Sequence, residues 1–176
     1  MMTCVLGAMA PTAIVLHGTT SAGKSSIAKA LQATAPVPAF HISLDAFVTM
    51  SNRRDMRSDA ERAQAYSIHC ENLRTTLARV VQTHFDIVLD LVLRDEVQMD
   101  ACLNVLRGRP TYVVRVWAPL DVLEERERSR DDRAPGMARE QVGHPAYRRA
   151  YDLEVDTSLC NPEEGAVAVR RLIGSI

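Results

Sequence analysis

The sequence predicts an α/β protein built on a parallel sheet covered on both faces. Apolar runs of strand length recur along the chain, and each is followed by a stretch with helical periodicity, the alternation that βαβ units require. The first run, Ala13-Ile14-Val15-Leu16, leads through Gly18-Thr-Thr-Ser-Ala-Gly-Lys-Ser25 directly into a helical pattern. A complete G-x-x-x-x-G-K-[ST] string therefore joins a strand to a helix. The composition agrees: 176 residues, 47% hydrophobic and 24% charged, suit one soluble domain with a real core.

Taken in order, Thr12–His17 reads as the first strand. Ser25–Ala35 reads as the first helix, with Ile27, Ala28, Leu31 and Ala35 on one side and Pro36 and Pro38 as its stop. Ala39–Leu44 is a second short strand with Asp45 at its C-terminal end. A polar stretch, Ser51–Glu61, precedes a long amphipathic pattern in which Ala63, Tyr66, Cys70, Leu73, Leu77, Val80 and Val81 recur at three and four. Asp86–Asp90 is the third strand, prolonged by Leu91–Leu93, and a helix follows over about Asp95–Leu106, ended by Gly108 and Pro110. Thr111–Trp117, apolar and β-branched, is the fourth strand. Pro119 starts the next helix at its first turn, and that helix runs into Glu125-Arg-Glu-Arg-Ser-Arg-Asp-Asp-Arg133 until Ala134-Pro135-Gly136 breaks it. A second polar segment continues to about Asp152, and Leu153–Asp156 is a short fifth strand. Asn161-Pro162-Glu163-Glu164 combines an N-cap, a proline at the first helical position and a glutamate at the third. The last helix begins there, with Val167, Val169, Leu172 and Ile173 as its apolar positions. No repeat, low-complexity run or linker interrupts this series, so residues 1–176 read as one domain.

Several function classes are disfavoured. A net charge of −1 offers no bulk attraction for nucleic acid or membranes, and 5% aromatic residues make a poor stacking platform for single strands. Cys4, Cys70, Cys102 and Cys160 are far apart, so neither a disulfide framework nor a zinc site is expected, and reduced thiols in a cytoplasmic protein are the default. No two of the five histidines sit at ligand spacing. Residues 1–11 lack the basic start of a signal peptide, and no apolar run approaches membrane-spanning length. A homo-oligomer is left open.

The chemistry concentrates beyond the carboxyl ends of the strands, where ligands bind in open α/β sheets. Gly18 and Gly23 let the chain turn tightly, and Thr20, Ser21, Ala22, Gly23, Lys24, Ser25 and Ser26 are the expected nucleotide contacts. Lys24 would reach the β- and γ-phosphates, and the Ser25 hydroxyl would hold Mg²⁺. Asp90 closes an apolar strand, the Walker-B arrangement, and is a second metal-ligand candidate and a substrate-side one; the same spacing also fits an aspartate that caps the next turn. Asp45 would face the same cleft and could take a proton from an acceptor hydroxyl. It could equally cap a helix starting at Ala46. Arg126, Arg130 and Arg133 are spaced by four and three, so they share a helical face. They suit a lid that brings guanidinium groups onto a triphosphate, as they also suit a solvated helix end laced with ion pairs.

The segments Gly18–Ser25, Leu44-Asp45, Arg130-Asp-Asp-Arg-Ala-Pro-Gly-Met137 and Tyr151-Asp-Leu-Glu-Val-Asp-Thr157 resemble the chloramphenicol phosphotransferase family, over about Ala13 to Ile173. The resemblance implies a P-loop kinase fold, a three-layer sandwich whose five-stranded parallel sheet has the order 2-3-1-4-5, with a lid at about 126–150. It implies transfer of the ATP γ-phosphate to an alcohol of a small molecule, with ATP and Mg²⁺ as cofactors. Asp45 matches the family's catalytic base, Lys24 and Ser25 its nucleotide and metal contacts, and Arg133 its lid arginine; Arg126 and Arg130 fall in the same lid.

One segment departs from the family. Where the named enzyme has a longer, glycine-rich stretch after the second strand, this chain has the short, charged Ser51-Asn-Arg-Arg-Asp-Met-Arg-Ser-Asp59. Phe47, Met50, Met56 and Tyr66 offer apolar walls for an acceptor, while Arg53, Arg54 and Arg57 suggest a more polar or anionic one. Antibiotics such as chloramphenicol, an unrelated metabolite and a nucleoside-like alcohol are all candidate acceptors on this fold. A nucleotide-dependent regulator or toxin-like ATPase is the rival of a different class. No Asn-Lys-x-Asp string supports guanine selectivity.

Overall fold

The structure is a computed structural model, and it describes residues 10–52, 55–93, 95–129 and 136–174. Five strands, β1 (Ala13–His17), β2 (Ala39–Ser43), β3 (Asp86–Leu91), β4 (Thr111–Trp117) and β5 (Leu153–Asp156), pair in parallel in the order β2-β3-β1-β4-β5. β1 lies centrally, with Leu16 opposite Asp90 of β3 and Val114 of β4. This adjacency places the end of β3 beside the glycine-rich turn.

The middles of the central strands, residues 13–16 of β1 and 87–89 of β3, are apolar because both of their faces are buried. Ile14 and Leu16 of β1 point into one layer with α1 (Lys24–Ala33), α5 (Leu120–Arg128) and α7 (Pro162–Leu172), where they meet Ile27, Leu31, Leu123 and Val169. Ala13 and Val15 point into the other, with α3 (Asp59–Val80) and α4 (Glu96–Val105), against Leu73, Leu77, Met99 and Cys102. Successive strand residues alternate between the two cores, as the pleat dictates. Among the described residues no helix is long and apolar enough to cross a membrane.

Local differences from the sequence reading have local causes. α3 starts at Asp59, inside the expected polar stretch, because Ser58 and Glu61 form a capping box that satisfies its first amides. The expected polar segment after Gly136 holds a short helix, α6 (Met137–Gln141), and a 3₁₀ turn (Pro145–Tyr147). Ala138, Gln141, Ala146 and Tyr147 are all buried there. Elements this short carry no readable periodicity. In α7, Val167 faces out, whereas Gly165, Ala166 and Val169 face the core. A Cβ on Gly165 would lie 3.0 Å from Ile27 Cδ1, so the smallest residue marks the contact with α1. The expected continuation of α5 to Arg133 falls outside the described residues.

Candidate functional site

The loop between β1 and α1 is shaped by close approach. A Cβ on Gly18 would stand 2.0 Å from the Val116 carbonyl oxygen, so only glycine lets β1 turn against β4. Gly23 (φ 90) and Ser21 (φ 59) are both left-handed. Left-handed serine is strained, and such residues gather at ligand clamps. This geometry gathers backbone amides at the N-terminus of α1, where the helix dipole favours an anion. Lys24 is buried and its ammonium donates to the Thr19 carbonyl at 2.8 Å. The hydroxyls of Thr19, Thr20 and Ser21 are buried without a hydrogen-bond partner among the described residues. Buried polar atoms left so are costly unless a ligand satisfies them.

Asp90 reaches this loop from β3. Its Oδ2 accepts the Ser25 hydroxyl at 2.6 Å, and His41 Nε2 lies 3.5 Å from the same oxygen. Burial pushes its pKa up, but His41, the Lys24 charge and the Ser25 hydroxyl outweigh that, so the carboxyl titrates below its ordinary value. A buried, ionised carboxylate paired with a hydroxyl is a donor set that fits a hard divalent cation.

Asp45 lies in a five-residue helix, α2 (Leu44–Val48), whose N-cap is Ser43. It is the second residue of that helix rather than the cap of one starting at Ala46. Three cavities follow one another along the loop. The middle one is walled by Thr20, Ser21, Gly23, Lys24, Ser25, Ser26, Asp45, Asp90 and Val92. It shares Ser21, Gly23 and Ser26 with a cavity of about 260 Å³ that Arg126, Thr157 and Cys160 also line. On its other side it shares Thr20, Asp45 and Val92 with a cavity of about 370 Å³. Asp45 and Lys24 therefore wall one space, and Asp45 stands where that space opens into the larger cavity.

α3 supplies much of the larger cavity. Arg62, Tyr66 and His69 recur at four and three, so one helical face presents all of them. Leu44, Val48, Met56 and Met137 add apolar wall, and Ser51 and Gln141 add polar groups. The Arg62 guanidinium is engaged by Asp59, at 2.7 Å, and by the Met56 carbonyl. Of the residues expected here, Met56 and Tyr66 line the cavity. Phe47 packs instead on the α3-side core, Met50 is 70% exposed, and Asp90 belongs to the middle cavity. Arg53, Arg54, Arg130 and Arg133 lie outside the described residues.

Arg126 ties the third wall together. Its guanidinium donates to Thr157 Oγ1 and to the Thr157 carbonyl, both at 2.8 Å, and to the Ser21 carbonyl at 3.4 Å. Thr157 Oγ1 donates in turn toward the Ala22 carbonyl at 2.9 Å. The segment after β5 is thereby clamped to the loop.

Sequence reasoning missed three supports. His17, at the end of β1, is 1% exposed and lies between the Tyr151 hydroxyl (2.9 Å) and the Leu93 carbonyl (2.8 Å). The carbonyl can only accept, so Nε2 carries the proton and Nδ1 accepts from Tyr151. Burial first, with Lys24, Arg149 and Arg115 adding, holds the pKa of His17 down at about 4, against the opposing pull of the Leu93 carbonyl. Glu127 is buried and accepts from the Gly136 and Ala138 amides at 2.8 and 3.0 Å. Gln141 is buried and accepts from the Thr20 amide at 2.7 Å. Nothing in the local pattern separates Glu127 from the charged run around it.

The sequence matches the family described as chloramphenicol phosphotransferase-like protein over residues 11–173. No curated protein matches the chain significantly. Similar solved structures include a protein of Chloroflexus aurantiacus classed provisionally as a kinase (TM-score 0.73, 22% identity, covering 94% of this chain and 97% of that one). The tunicamycin resistance protein of Deinococcus radiodurans is another (TM-score 0.69, 16% identity, 94% and 97% covered). So is the APS kinase CysC of Mycobacterium tuberculosis in complex with AMPPNP and APS (TM-score 0.69, 19% identity, 94% and 98% covered). At these identities the likeness establishes the P-loop kinase fold.

Proposed function

Since the chain belongs to the chloramphenicol phosphotransferase-like family, we propose that it is an ATP- and Mg²⁺-dependent kinase that phosphorylates a hydroxyl of a small molecule. The observation that carries this reading is the position of Asp45, at the mouth between the Lys24 cavity and the larger cavity beside it. The loop amides and Lys24 hold the triphosphate, and the Arg126–Thr157 side receives the nucleoside. Ser25 and Asp90 hold Mg²⁺, which supplies charge neutralisation on the phosphoryl oxygens. The acceptor lies in the larger cavity with its hydroxyl toward Asp45. As the acceptor oxygen bonds to the γ-phosphorus, the bond to the β–γ bridging oxygen breaks, and Asp45 takes the hydroxyl proton. Arg133 matches the family's lid arginine and is assigned, with Arg126 and Arg130, to the transferring group and the nucleotide. We read the whole chain as one kinase domain working in the cytoplasm, with residues about 126–150 as its lid.

The larger cavity pairs apolar walls from Leu44, Val48, Met56 and Met137 with Ser51, His69 and Gln141. An alcohol with an apolar body and further polar groups fits that lining. Chloramphenicol, for which the family is named, therefore heads the acceptor panel, followed by other hydroxylated antibiotics and by metabolite alcohols. The test is incubation of the pure chain with ATP, Mg²⁺ and each alcohol, with phosphorylated product read by mass. One alcohol should yield product and raise ATP consumption. ATP consumption at one unchanged rate with every alcohol, and no product, would mark an ATPase and refute the kinase reading.

A further inference from the structure

Thr20 is the loop residue common to the middle and larger cavities, and its amide is held by a side chain that no loop motif contains. Gln141 lies at the end of α6, far along the chain, and is 3% exposed. The Thr20 amide can only donate, so the Gln141 oxygen faces the loop and the amide nitrogen is turned away from it. Gln141 also lines the larger cavity, and that contact to Thr20 is its one side-chain hydrogen bond among the described residues. α6 is itself anchored at its start by the buried Glu127 carboxylate on Gly136 and Ala138. The helix is therefore fixed at one end to α5 and at the other to the loop.

We propose that Gln141 is a positioning residue: its carboxamide holds Thr20 where the loop separates nucleotide from acceptor, and so presets the loop for the triphosphate. The proposal rests on the nucleotide reading above. Without the Gln141 oxygen, the amide of Thr20, a residue only 2% exposed, loses its partner, and the left-handed turn at Ser21 loses its neighbour's restraint. A loop that samples more conformations binds nucleotide more weakly, because ordering it then costs binding free energy.

The experiment compares the full-length chain with Gln141→Met, which keeps length but has no oxygen, and Gln141→Glu, which keeps an oxygen toward Thr20. Amide exchange of Thr20 is followed by NMR, and binding of AMPPNP with Mg²⁺ by calorimetry. In Gln141→Met, Thr20 exchange should rise and AMPPNP affinity should fall, each by roughly threefold to tenfold, the worth of one hydrogen bond. Exchange in the β1 core should stay unchanged, which a general loss of stability would not allow. Gln141→Glu should keep Thr20 protected. If folded Gln141→Met matches wild type in both Thr20 exchange and AMPPNP affinity, the positioning role is wrong while the nucleotide reading stands. A wild-type chain that does not bind AMPPNP overturns both.

Discussion

His17→Gln isolates a buried base whose proton inventory the structure defines. The ring is neutral because its Nε2 donates to Leu93 and its Nδ1 accepts from Tyr151, with no room for a second proton. The cost of charging it shows as a pKa of about 4 in the fold against the ordinary histidine value of 6.5. The unfolded chain therefore binds a proton that the folded chain refuses, and stability rises with pH across that window. It is unaffected well above the unfolded pKa, declines as pH falls from about 6.5, and levels off below about 4, where both states are protonated. From these two values, His17 costs about 2 kcal/mol at pH ~5 relative to pH ~8. Glutamine can donate to Leu93 without titrating. Urea denaturation of wild type and His17→Gln should give a stability difference that shifts by about 2 kcal/mol in the variant's favour on going from pH ~8 to pH ~5. A difference that stays flat across those conditions would show that the ring carries no pH-linked cost, and the proton assignment would fall with it.

Three further outcomes are expected. Asp45→Asn should reduce phosphorylation of the acceptor by ~10²–10⁴-fold while AMPPNP affinity stays near wild type; full turnover in that variant would remove Asp45 as the base. Gly18→Ala places a methyl 2.0 Å from the Val116 carbonyl, a clash with backbone that no rotamer relieves. It should cost about 3 kcal/mol or more in denaturant unfolding, and an unchanged midpoint would contradict the close packing of β1 on β4. Arg126→Lys keeps the charge but loses the forked pair of bonds to Thr157. AMPPNP affinity should drop by roughly tenfold, with little change if the clamp does not shape the nucleotide side.

Much of the site was legible because its chemistry is local. The Gly18–Ser25 turn, Lys24 and Ser25 fall within one strand–turn–helix unit, and Asp45 and Asp90 mark the ends of apolar runs. Residues whose work depends on distant partners carried no such mark. Gln141 meets Thr20 across 121 positions, and although spacing marked Arg126, it did not reveal the bond to Thr157, 31 positions away. Phe47 reads from the sequence as an apolar wall for the acceptor, yet it packs against the α3-side core. The reach of α3 into the larger cavity was legible at Tyr66 but not at Arg62 or His69. Of its amphipathic pattern, Cys70, Leu73 and Leu77 face the core while Ala63 and Tyr66 line the cavity, and the polar Arg62 and His69 beside them fall outside an apolar pattern.

By itself the sequence determined the five strands, the longer helices, the parallel sheet and the loop at the head of α1, since periodicity and steric freedom act within a few residues. The strand order 2-3-1-4-5 came from resemblance, and pairing of β1 with both β3 and β4 makes it physical. Only the tertiary structure decided that Asp45 and Lys24 wall one cavity, that Ser25 bonds Asp90, and that His17 is held neutral. Each depends on which distant atoms exclude water from the same small volume, and no spacing along the chain encodes that.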